Sequence, residues 1–136
     1  MKTDSLFYRI FLEAPAVLLQ LAGLSPEVAA QEALQYDFRS VELKQTASRI
    51  DGVLLPQAGN RPIWFVEVQF QADKYLYHRL FSELTLFIRQ NPDLSDWRFL
   101  IIFPRRKLEP QRPELYQEFF RSDRIYWVFL EDLPGV

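Results

Sequence analysis

Residues 63 to 71, IWFVEVQFQ, place Trp64, Val66, Val68 and Phe70 on one parity and Ile63, Phe65, Glu67, Gln69 and Gln71 on the other. Successive strand side chains point to opposite faces, so this segment predicts a strand with one wholly apolar face and with Glu67 and Gln69 emerging together on the other. RIDGVLL, residues 49 to 55, is a second strand-like run, and the polar PQAGNRP between the two suits a hairpin. Upstream, Val41 and Leu43 share one parity and Glu42 and Lys44 the other. That pattern predicts a strand from Phe38 to Gln45, and a short turn at Thr46 to Ser48 completes a three-stranded meander.

The remaining pattern is mostly helical. Thr3, Asp4 and Ser5 offer N-caps for a helix whose apolar positions are Phe7, Ile10, Phe11 and Ala14. Pro15 interrupts it, and Val17, Leu18 and Leu21 resume the pattern before Gly23, giving two helical pieces or one kinked helix. Ser25 and Pro26 read as N-cap and first position of a short helix through about Leu34. After the hairpin, Leu76, Leu80, Leu84, Phe87 and Ile88 form the stripe of a helix from about Asp73 to Arg89, stopped by Asn91 and Pro92. WRFLIIFP, residues 97 to 104, is a continuous apolar run of the kind buried on both faces of a sheet, and its place after a helix predicts a parallel crossover. A basic turn, Arg105 to Lys107, then leads to a helix from about Arg112 to Arg121 and a last strand within RIYWVFLEDL. The order is α-β-β-β-α-β-α-β, an α/β fold with a mixed sheet flanked by helices.

Composition narrows the chemistry. At 136 residues with 49% hydrophobic and 15% aromatic content, one domain over residues 1–136 with an ample core is expected. The abrupt end at DLPGV is compatible with a longer protein. The absence of cysteine removes disulfides, thiolate metal sites and thiol nucleophiles, and the single histidine, His78, excludes a multi-histidine metal site. No run is long enough to span a bilayer and MKTDSLFYR lacks a signal peptide's apolar stretch, so a cytoplasmic protein with no membrane partner is expected. A net charge of -2 argues against a generally basic polyanion binder and restricts nucleic-acid contact to local patches.

The polar residues of the hairpin are where chemistry is expected. A carboxylate on an otherwise interior strand is costly. If the two hairpin strands pair, Asp51 and Glu67 approach one another at one end of the ribbon, and two carboxylates held close repel unless a cation or proton lies between them. The economical reading is a divalent metal site. The competing reading makes them ordinary ion-pair partners, Asp51 with Arg49 or Arg61.

An Asp, a hairpin and then Glu-x-Gln on the following strand resembles the PD-(D/E)XK nuclease superfamily, in the variant where Gln replaces the usual Lys. The segments MKTDSLFYRIF, VELKQTASRIDGVLL, FVEVQFQ, YHRL and FIRQNPDLSDWRFLIIFPRR are also similar to the Rpn-type recombination-promoting nuclease or putative transposase group, and more closely to a cyanobacterial branch known as a domain of unknown function. The resemblance covers nearly the whole chain. It implies a restriction-endonuclease-like core and a magnesium- or manganese-dependent DNA endonuclease acting in transposition or recombination, with Asp51 and Glu67 as catalytic metal ligands. Gln69 stands where the family's Lys supplies a cation, and a neutral amide can donate and accept but cannot act as a base. Lys44, on the polar face of the neighbouring strand, is the candidate replacement. Glu42 is a further candidate ligand or a surface ion-pair partner of Lys44, and Asp4 is an acid offered by the first helix.

The helix after the motif strand begins DKYLYHRL, and cations interleaved with aromatics suit phosphate contact and base stacking. This places Lys74, Tyr75, Tyr77, His78 and Arg79 near the expected site; Lys74, Tyr77, His78 and Arg79 are the candidate DNA contacts, Arg79 first because its planar fork binds oxygen pairs. Arg105 and Arg106 of the basic turn are further candidates. The alternatives are rim packing for the tyrosines, simple hydrogen bonding for His78 and a solvated turn for the arginines. A nuclease-derived binding module that has lost the chemistry is the rival to an active enzyme, and the aromatic C-terminal strand IYWVF is a candidate edge for a homodimer.

Overall fold

The computed structural model describes residues 3–43 and 49–135. Within them α1 (Thr3–Glu13), α2 (Pro15–Leu21) and α3 (Pro26–Ala33) precede β1 (Tyr36–Glu42), β2 (Arg49–Pro56) and β3 (Ile63–Val68), then α4 (Leu76–Gln90), β4 (Trp97–Phe103), α5 (Gln117–Arg121) and β5 (Ile125–Phe129). Pro15 does split the first helical pattern, taking the first position of α2, where its missing N–H costs nothing. Ser25 caps α3 by accepting the Val28 N–H at 3.3 Å.

One mixed five-stranded sheet runs in sequence order. β1, β2 and β3 are antiparallel neighbours, whereas β4 pairs in parallel with β3, and β5 with β4. β4 is buried from Phe99 to Phe103, as a central strand covered on both faces must be. β1 and β5 are the sheet's edges, so IYWVF does lie at an edge. Among the described residues no helix is long and apolar enough to cross a membrane.

The two faces carry separate cores. Trp64, Val66 and Val68 of β3 join Leu54, Leu100 and Ile102 under Phe11, Leu18, Leu19 and Ala29 of the first three helices. Ile63 and Phe65 join Val53, Phe99, Ile101 and Phe103 under Leu76, Leu80, Leu84 and Phe87 of α4, with Phe119 and Phe120 of α5 packed alongside. Glu67 has the parity of Ile63 and Phe65 and so belongs to the α4 face.

Four boundaries differ from the expected ones, the first being β1, which runs Tyr36–Glu42 rather than Phe38 to Gln45; Gln45 and the turn expected at Thr46 to Ser48 lie outside the described residues. α4 starts at Leu76 rather than near Asp73, because the Asp73 carboxylate accepts the Tyr75 N–H at 2.9 Å and holds a turn there. The helix expected from Arg112 is a 3₁₀ turn, Glu114–Tyr116, running into the short α5, since Pro113 biases Arg112 away from helical geometry. β3 ends at Val68, although Gln69 still donates its N–H to the Ile102 carbonyl at 2.9 Å.

Candidate acidic site at the end of β2 and β3

Asp51 owes its position to an irregularity in β2. Along β1 the register advances two residues, Arg39 to Val41, while along β2 it advances three, Val53 to Ile50, so Asp51 and Gly52 together face Ser40. A bulge of this kind bends a strand and re-aims a side chain. On the other side β2 pairs regularly with β3, Gly52 opposite Val66. That ladder ends at this pair, and the exposed Asp51 and the part-buried Glu67 each lie one residue beyond it, at the same end of the two strands.

A third carboxylate, absent from the sequence-based candidates, feels the charge of both acids. Glu83 projects from α4 with its side chain only 15% exposed. Burial pushes its carboxyl up to about 7; Arg79 opposes the rise, and the negative charges of Glu67 and Asp51 add to it. Glu83 thus registers both hairpin acids from across the α4 layer. The sequence signal was available: Glu83 is four residues after Arg79 and three after Leu80, on the margin of the buried stripe, where a carboxylate needs a reason.

Arg79 lies among these acids. Its Nη2 donates to Glu67 Oε1 at 3.2 Å and stands 3.8 Å from Asp73 Oδ2, while Nη1 stands 3.8 Å from Glu83 Oε1. Burial by itself would lower the guanidinium's pKa, but Glu67, Glu83 and Asp73 outweigh it and raise it. The residue expected to grip DNA phosphate is therefore engaged with a proposed metal ligand. Arg61 is engaged elsewhere, at 2.7 Å from Glu32, and does not serve as the ion-pair partner of Asp51.

The other expected residues divide. Gln69 follows Glu67 at the strand end, and its amide nitrogen donates to the Gln71 carbonyl at 2.6 Å. Glu42 is exposed and has the parity of Tyr36 and Phe38, on the sheet face away from Glu67, so it is not brought to the cluster. Lys44 lies outside the described residues, and so does the side chain of Asp4. Lys74, in the turn before α4, and His78, in its first turn, are exposed, with His78 Nδ1 3.0 Å from the Tyr116 hydroxyl.

Tyr77, expected as a nucleic-acid contact, is 1% exposed. Its hydroxyl bonds Glu109 and accepts the Trp127 Nε1–H at 2.9 Å, because the segment before α5 covers that flank of α4. The tyrosine presented to solvent is its neighbour Tyr75. Arg105 is exposed just beyond β4, at the end of the sheet where the parallel β3 also ends, whereas Arg106 is fixed 2.6 Å from Asp132 and stacked over Phe129.

Two acidic oxygen donors suit magnesium, which keeps several waters and is commonly held by one or two carboxylates plus substrate phosphate. They do not form a closed cage: among the described residues no three His, Cys, Asp or Glu side chains are grouped closely enough to hold a metal ion by themselves. No curated protein and no solved structure matches the chain. A family model described as a protein of unknown function, DUF2887, matches residues 3–136.

Proposed function

The chain belongs to the DUF2887 family of proteins of unknown function, and from that premise we propose that it is a metal-dependent phosphodiesterase of restriction-endonuclease-like architecture that acts on DNA. The reading rests on the resemblance of the Asp51, Glu67 and Gln69 pattern to PD-(D/E)XK nucleases. The observation that carries it is the acidic end of the sheet where β2 starts and β3 ends: Asp51 and Glu67 lie there, and their charges add to the rise of the buried Glu83 carboxyl on α4.

Asp51 and Glu67 would hold magnesium or manganese. When bound, such an ion supplies a Lewis acid and acidifies a coordinated water. The rest falls to the chain's own groups. The bulge at Asp51 and Gly52 aims the first ligand, and α4 roofs the site. Gln69 can orient a water or a phosphate oxygen through its amide but cannot accept a proton as a base. Lys74 and Arg105 are exposed cations, and His78 an exposed imidazole, of the kinds suited to phosphate.

Nuclease assays on single-stranded, duplex and branched DNA with magnesium and with manganese test this reading. Cleavage by the parent chain that disappears in Asp51→Ala supports it. Cleavage that survives unchanged in Asp51→Ala overturns it.

A second reading, a nuclease-derived module that binds nucleic acid without cutting it, is favoured by two contacts: Glu67 is paired with Arg79, and the Gln69 amide is turned to Gln71. It predicts DNA binding that is indifferent to chelation of divalent ions.

A further inference from the structure

Arg79 is held by three carboxylates that come from three places: Glu67 from the end of β3, Asp73 from the turn before α4, and Glu83 from the next turn of α4. The grip is uneven. Only Glu67 is within hydrogen-bond distance, at 3.2 Å, through one terminal nitrogen, while the contacts to Asp73 and Glu83 are both 3.8 Å. None is the bidentate fork that makes an arginine–carboxylate pair strong. The Arg79 side chain is also 41% exposed, so its pairs are screened by solvent. By contrast the Glu67 side chain is 18% exposed and its negative charge reaches the buried Glu83, so it needs a positive neighbour more than Arg79 needs Glu67.

We propose that Arg79 is a built-in counterion that closes the acidic cluster, and that its guanidinium competes with a divalent cation for Glu67. This deepens the phosphodiesterase reading and rests on it. A cation on Asp51 and Glu67 displaces Nη2 from Glu67, and Asp73 and Glu83 then retain the guanidinium at the rim of the site. The displacement is easy, because a half-exposed, singly hydrogen-bonded pair holds weakly against a doubly charged ion with two carboxylate ligands. The contact offsets the charge of Glu67 and sets a threshold for metal binding.

The test is titration of the full-length chain with manganese ion alone, followed by electron paramagnetic resonance or calorimetry, for the parent, Arg79→Met, Arg79→Lys and Asp51→Ala. Arg79→Met should bind manganese about fivefold more tightly than the parent, and Arg79→Lys, which restores the positive charge, should return toward parent affinity. A purely structural role for Arg79 would not follow charge in this way. If Asp51→Ala abolishes manganese binding while Arg79→Met binds no better than the parent, the counterion role is overturned and the phosphodiesterase reading stands. If Asp51→Ala binds manganese as the parent does, or if no variant binds it, both are overturned.

Discussion

Tyr8 of α1 lies directly over Gly52 of β2: a Cβ built on Gly52 would stand 2.7 Å from Tyr8 Cε1 and 3.2 Å from Phe38 Cζ. The missing side chain is what lets the first helix cross the sheet beside Asp51. Tyr8 also stacks on Phe38 at 6.5 Å between centroids, and its hydroxyl accepts the Val68 N–H at 3.4 Å, at the end of the strand that carries Glu67. One aromatic ring thereby ties α1 to both strands of the proposed site.

Gly52→Ala should therefore push Tyr8 off β2 and destabilise the fold by about 1–3 kcal/mol, the usual cost of overpacking. Urea unfolding measures this. Gly52→Ala combined with Tyr8→Leu should recover part of the loss, because the clash is with the ring edge; no recovery would place the strain in the backbone of the bulge instead.

Glu83 predicts a dependence of stability on pH. Its carboxyl ionises near the ordinary 4.5 in the unfolded chain and at about 7 in the folded one. Between those values the folded state holds a proton that the unfolded state has released, so stability falls as pH rises through this window. Glu83→Gln removes the dependence. It should match the parent below pH 4.5 and exceed it at pH 8 by up to about 3 kcal/mol, read from urea unfolding at pH 4.5, 6 and 8. Identical pH profiles for the two proteins would show that burial, with the charges of Glu67 and Asp51, does not raise the Glu83 carboxyl.

Much of this was legible in the sequence because period and burial coincide. The alternation from Ile63 to Val68, the unbroken apolar run of β4 and the Leu76–Leu80–Leu84–Phe87 stripe each gave the right element and the right face, and a helix between two apolar strands implied the parallel pairing of β3 with β4. The first helix was less clear: Phe11 is buried, but Ile10 is 38% exposed and Tyr8, whose role depends on Gly52, takes its place on the sheet. Glu83 was missed because, four residues after Arg79, it reads as half of a surface ion pair; only the tertiary fold places it opposite Asp51 and Glu67. Tyr77 was misassigned for the complementary reason. A helix packed on a sheet by one stripe leaves position 77 on its flank, and the burial of that flank under Tyr116, Phe119 and Phe120 depends on contacts no local pattern encodes.

Tyr77→Phe isolates that second layer. The hydroxyl joins Trp127 Nε1 to Glu109, whose carboxylate also accepts Arg112 Nε at 2.7 Å, and the Arg112 guanidinium stacks 3.7 Å above the Trp127 ring. Removing the hydroxyl leaves a partly buried indole N–H and a carboxylate short of one partner. The expected loss is about 1–3 kcal/mol in urea unfolding, with nucleic-acid affinity unchanged. An equal loss of DNA affinity would return Tyr77 to the binding surface.

Tyr75 carries the corresponding prediction for binding. Its ring is 62% exposed at the start of α4, with the Lys74 ammonium 5.0 Å from its centroid and His78 6.3 Å away, one helical turn before Arg79. A base stacked on an exposed tyrosine contributes about 1–3 kcal/mol to single-strand binding. Tyr75→Ala should weaken binding of a fluorescent single-stranded oligonucleotide by that amount, and Tyr75→Phe, which keeps the ring, should not. Lys74→Met should weaken binding of all sequences alike and shallow the salt dependence by about 0.7 for single strands. Duplex DNA, whose bases are already stacked on one another, should be nearly indifferent to Tyr75→Ala. Equal affinity of the parent and Tyr75→Ala for single strands would remove this end of α4 from the nucleic-acid interface and leave Arg105, beyond β4, as the cation to substitute next.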